Sequence, residues 1–89
     1  MRVATALGSL FVEDSEELGH PSDGKPTILL WHSFLHHGGM WREQLPMLRD
    51  RFRVLNVDAP GHGRSEPVRR DFNMTDCAQA ALDVLDATG

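Results

Sequence analysis

The chain has 89 residues, 40% of them apolar and 25% charged, with a formal net charge of −4 and a sequence pI near 5.6. This is the composition of one small globular domain, not of a disordered segment. The acidic balance argues against a nucleic-acid groove or an anionic membrane surface, both of which need clustered Lys and Arg.

Residues 1–14 read as a hairpin: Arg2–Leu7 and Ser9–Asp14 both alternate and meet at Gly8, which permits a tight reversal. The start carries no apolar run of signal-peptide type. Ser15–Pro26 is a polar loop. Thr27–His32 is a short apolar run, the pattern of a strand buried on both faces, followed by a loop over residues 33–39. Residues 40–51 have helical spacing, with Trp41, Leu45 and Leu48 on one stripe and Pro46 starting a turn or kinking the segment. Residues 52–57 form a second apolar strand and Asp58–Glu66 a tight loop. Residues 75–88 read as a helix capped by Thr75, with Ala78, Ala81, Leu82 and Leu85 as its apolar face and Gly89 as its stop. The expected fold class is α/β, an antiparallel hairpin followed by β-α-β-α in a mixed sheet with a right-handed crossover.

Arginines gather at Arg49–Arg53 and Arg64–Arg70, interrupted by acids, and read as solvated surface. Cys77 is the single cysteine, so no intrachain disulfide forms. It reads as a small core residue compatible with a reducing compartment, and a cytoplasmic chain is the expectation. The longest apolar run, Ile28–Trp31, is too short to span a bilayer.

Chemistry concentrates in the two loops that follow the apolar strands. The first reads His32-Ser33-Phe34-Leu35-His36-His37-Gly38-Gly39. Its histidines lack the helical His-Glu-x-x-His context and any neighbouring carboxylate or Cys, so no metal is expected. His36 and His37 read as exposed or as lining a substrate entrance. The second reads Asp58-Ala59-Pro60-Gly61-His62-Gly63-Arg64-Ser65. Glu66 stands where a dinucleotide fingerprint needs its third Gly, so no nucleotide cofactor is expected. Asp58, His62 and Ser65 occur in the wrong order for a hydrolase triad, and Pro67 occupies the last Gly position of a nucleophile elbow. This loop reads as a rigid corner: Pro60 fixes one φ, Gly61 and Gly63 permit unusual ones, and Asp58 accepts backbone N–H groups.

The strand, loop, Met40-Trp41 helix and Asp-x-x-Gly-x-Gly-x-Ser corner together resemble the N-terminal part of an α/β-hydrolase core. Ser33 and Met40-Trp41 resemble the enol-lactonase-like branch. The resemblance covers about Val3 to Gly89 and implies a serine hydrolase of esters or lactones using a Ser-His-Asp triad and an oxyanion hole. Matched position by position, the Phe34 backbone N–H is one oxyanion donor. His32, Ser33, Asp58, Gly61, His62, Gly63 and Ser65 shape the loops. No G-x-S-x-G occurs in the sequence, so the chain contains neither the nucleophile nor the later acid and base, and the expected sheet stops before the nucleophile strand. The implied partner is a small ester or lactone. Alone the chain is expected to be inactive and to self-associate through an open strand edge. A non-catalytic module, or part of an epoxide, haloalkane or C–C-bond hydrolase, are the other readings.

Overall fold

The alternating N-terminal residues form two antiparallel strands, β1 (Arg2–Thr5) and β2 (Gly8–Asp14), in register Val3↔Leu10. The computed structural model describes residues 1–32 and 37–89. Within them the apolar runs become β3 (Thr27–Trp31) and β4 (Arg53–Val57). The four strands make one mixed sheet in the order β1-β2-β4-β3. β4 is antiparallel to β2, with Val12 opposite Val57, and parallel to β3, with Leu29 opposite Leu55.

Alternation along β4 divides the layers. Leu55 and Val57 join Val3, Leu7, Leu10 and Val12 against Ala80 and Val84 of α2 (Met74–Thr88). Asn56 points to the opposite face, where α1 (Leu45–Arg51) packs against β4. Leu10, Val12, Leu55, Val57 and Val84 are solvent-free, so the core lies under the hairpin and β4.

The structure departs from the sequence reading in five places. β3 is not buried on both faces: only Leu30 is buried, because β3 pairs with β4 alone among the described strands. The expected helix over 40–51 is two pieces, a 3₁₀ turn at Gly38–Trp41 and then α1, with Pro46 in the first turn of α1, where its missing N–H costs nothing. The cap of α2 is Asn73, not Thr75. Asn73 Oδ1 accepts from the Asp76 N–H while the Asp76 carboxylate accepts from the Asn73 N–H, each at 3.0 Å, a reciprocal capping box. The packed face of α2 is Ala80 and Val84 with Cys77 and Leu85; Leu82 is 53% exposed.

Arg53 also differs from the solvated arginine expected. Its guanidinium grips the buried Asp14 with two bonds, Nη2–Oδ2 at 2.6 Å and Nε–Oδ1 at 3.2 Å. Burial opposes ionisation of Asp14, but the Arg53 fork and the Glu16 N–H outweigh it and hold the carboxyl below its ordinary value.

Candidate functional site

The parallel register places Trp31 opposite Val57, the last residues of β3 and β4. The two chemistry-bearing loops therefore leave the sheet side by side at the carboxyl ends of parallel strands, where open α/β sheets hold ligands.

Among the described residues, three bonds tie these loops and the end of β4 together. His32, 4% exposed, accepts the Ala59 N–H on Nε2 at 2.8 Å. Asp58 Oδ1 accepts the Gly38 N–H at 2.8 Å. Asn56 Nδ2 donates to the Gly38 carbonyl at 2.9 Å. Gly38 is thus held on both sides of its Cα by side chains from the end of β4. A Cβ there would lie 2.8 Å from Asn56 Oδ1, so the clamp leaves room only for glycine.

The corner after β4 is organised around the same Asp58. Its Oδ2 accepts the Arg64 N–H at 3.0 Å and the Arg64 guanidinium Nε–H at 3.3 Å. Burial works against the charge of Asp58, but the N–H groups of Arg64 and Gly38 and the Arg64 guanidinium prevail and lower its pKa. Gly63 has φ 50°, and a Cβ on it would lie 2.6 Å from Asp58 Oδ2. Gly61 also has positive φ.

Ser65 Oγ donates to the Asp58 carbonyl and accepts the Phe11 N–H at 2.9 Å. Its hydroxyl is spent fastening the corner to β2. His62 Nδ1 lies 2.9 Å from the Pro60 carbonyl, and its ring meets His32 edge-on with centroids 5.2 Å apart. His37 is exposed, and its Nδ1 accepts the Gly39 N–H at 3.0 Å. Ser33, Phe34 and His36 lie outside the described residues. Among the described residues no cluster of three or more His, Cys, Asp or Glu could hold a metal ion, and no helix is long and apolar enough to cross a membrane.

Two features escaped the sequence reading. Asn56 carried a signal, being the polar residue inside the apolar run Val54–Val57, whereas Gly38 carried none beyond its place in a loop. Arg64 bonds Glu13 at 3.0 Å and lies 3.7 Å from the Phe11 ring centroid, tying the corner across the exposed face of β2. Beside this network lies a polar cleft of about 420 Å³ lined by Glu13, His37, Arg42, Asn56, Asp58 and Arg64. On the α2 side an apolar groove of about 300 Å³ runs between Leu29 and Trp31 of β3 and Met74, Cys77, Ala78 and Ala81.

Comparison with known proteins agrees with this architecture. Residues 28–89 match the sequence profile described as the Alpha/beta hydrolase family. The chain is 42% identical over 60 residues to a pimeloyl-[acyl-carrier protein] methyl ester esterase of Methylococcus capsulatus, covering 67% of this chain and 23% of that protein. It is 37% identical over 68 residues to mouse Epoxide hydrolase 4, covering 74% and 19%. The crystal structure of an enol-lactonase from Burkholderia xenovorans superposes with a TM-score of 0.82 at 25% identity, over 97% of this chain and 32% of that one. The chain spans a third or less of the length of these proteins. With most of its sequence matched, its mixed sheet shared and its two loops set at the carboxyl ends of β3 and β4, the chain belongs to the α/β-hydrolase family.

Proposed function

We infer that the chain supplies the N-terminal part of a serine hydrolase acting on small-molecule esters or lactones. In this reading the Phe34 backbone N–H is one oxyanion donor. A pre-aimed N–H stabilises the charge that develops on the carbonyl oxygen in the tetrahedral intermediate, an effect of about 3–4 kcal/mol per donor. His32 and Asp58 act through the backbone, holding the two stems of the Phe34 loop. The Ser nucleophile, the His base and the acid come from sequence beyond these 89 residues, so the chain alone is inactive.

The observation that carries the reading is the Trp31↔Val57 register, which sets the stems of that loop against the Asp58 corner. Support for ester or lactone chemistry comes from the similarity to an esterase and an enol-lactonase. A cytoplasmic setting belongs to the proposal, as does self-association through the unpaired edge of β3.

The test is the coding sequence downstream of Gly89 together with turnover by the purified chain. A G-x-S-x-G in the following stretch, and p-nitrophenyl acetate hydrolysis at the buffer rate by the 89 residues alone, are the expected results. A stop codon after Gly89 favours a non-catalytic module, and turnover well above buffer overturns the missing nucleophile. Epoxide hydrolysis is the second reading, favoured by the similarity to Epoxide hydrolase 4, and an epoxide substrate beside the ester in the downstream-completed protein separates the two.

A further inference from the structure

The bond between His32 and Ala59 has a requirement that the fold alone does not show. Nε2 of His32 accepts a backbone N–H at 2.8 Å, in a ring that is 4% exposed. An imidazole nitrogen accepts only when it carries no proton, so His32 is neutral here with its hydrogen on Nδ1. A proton from solvent arriving at Nε2 would turn this acceptor into a donor facing a donor. The buried Ala59 N–H would then lose its partner.

We propose that His32 is an acid-sensitive latch, joining the end of β3 to the corner after β4 while neutral and releasing it when protonated. This does not depend on which substrate the parent enzyme cleaves. Among the described residues, ionisable groups near the latch include His62 and Asp58 of the corner and Cys77 of α2. His62 stands edge-on to His32 at 5.2 Å. Asp58 precedes Ala59, and its carboxylate is engaged by the Gly38 and Arg64 N–H groups and the Arg64 guanidinium. Cys77 shares an apolar cavity of about 170 Å³ with Trp31, Ala59 and His62. Burial, then the charge of Asp76, raises the Cys77 thiol, whereas Asp58 is lowered. Neither changes charge between about pH 5 and 8.

The experiment is nitrogen NMR of the 89-residue chain, in solution or, if it associates, in the solid state. Long-range ¹H–¹⁵N spectra at about pH 8 should show His32 Nε2 bare and Nδ1 protonated. On acidification to about pH 5, Ala59 amide protection should fall on the order of tenfold beyond the intrinsic change, while Leu55 in β4 keeps its own. His62→Gln should retain this response. His32→Phe should leave Ala59 unprotected at both pH values. A hydrogen on Nε2 at about pH 8, Ala59 protection that survives protonation of His32, or a loss that tracks His62 instead would each overturn the latch.

Discussion

Asp58 concentrates more backbone bonding than any residue of the second loop, and its chemistry sets a pH dependence. Its carboxyl is lowered in the folded chain, so it contributes stability above its unfolded pKa of about 3.9 and loses that contribution as pH falls through the folded value. Asp14, lowered by Arg53 and the Glu16 N–H against its burial, acts in the same direction. Urea midpoints should therefore decline below about pH 5, and Asp58→Asn should flatten the decline while lowering stability at neutral pH. The Gly38 clamp makes a second residue-scale prediction. Gly38→Ala forces its Cβ against Asn56 Oδ1, and Asn56→Ala leaves the Gly38 carbonyl without its donor, each costing about 1–3 kcal/mol. Removing the Asn56 side chain also removes the clash, so the double variant should lose less than the sum, with a coupling of about 0.5 kcal/mol or more in a denaturation cycle. Additive losses would show that the two groups do not share the strain.

Among the elements, the hairpin, both apolar strands and the last helix were legible because each carries its own period. The hairpin alternates, β3 and β4 are short apolar runs, and α2 has recurrent apolar positions. What was not legible depends on contacts far apart in the chain. β3 reads like a strand buried on both faces, yet among the described strands it pairs on one side only, and burial depends on what lies beside it. Asn73 was missed as the cap because Thr75 is also a good capping residue, and only the reciprocal bond with Asp76 decides between them. Asn73→Ala should cost α2 about 1 kcal/mol, read as a lower thermal midpoint, with Thr75→Ala near neutral. The loop-to-loop bonds of Gly38, with partners 18 and 20 positions away, leave no local trace at all. Their polar partner Asn56 was visible as an anomaly in an apolar strand, but not the residue it binds.

For the whole molecule, the decisive feature is one-sided completion of the sheet. β1, β2, β4 and α2 enclose a solvent-free core, whereas β3 leaves one edge unpaired among the described strands, beside an apolar groove that includes Met74 at 78% exposure. An unpaired apolar edge templates strand addition. Light scattering on the purified chain should show dimers or larger species, and Leu29→Lys together with Met74→Lys should shift them towards monomer. A monodisperse monomer of the unmodified chain would contradict this. Leu10→Ala, at a position with no exposure, should instead cost about 2–5 kcal/mol through a cavity.

The order of the strands also carries a message about synthesis. β2 acquires its neighbour β4 only after the intervening loop, β3 and α1 have been made, and the Asp14–Arg53 grip spans 39 positions. Closing so long a loop is slow compared with closing the hairpin. A nascent chain released before Val57 holds a two-stranded ribbon without its central staple, and such ribbons are marginal in water. Translation through β4 and then α2 is therefore the step at which this polypeptide first encloses its interior, and a ribosome stalled upstream of α2 would present chaperones with an open hydrophobic face.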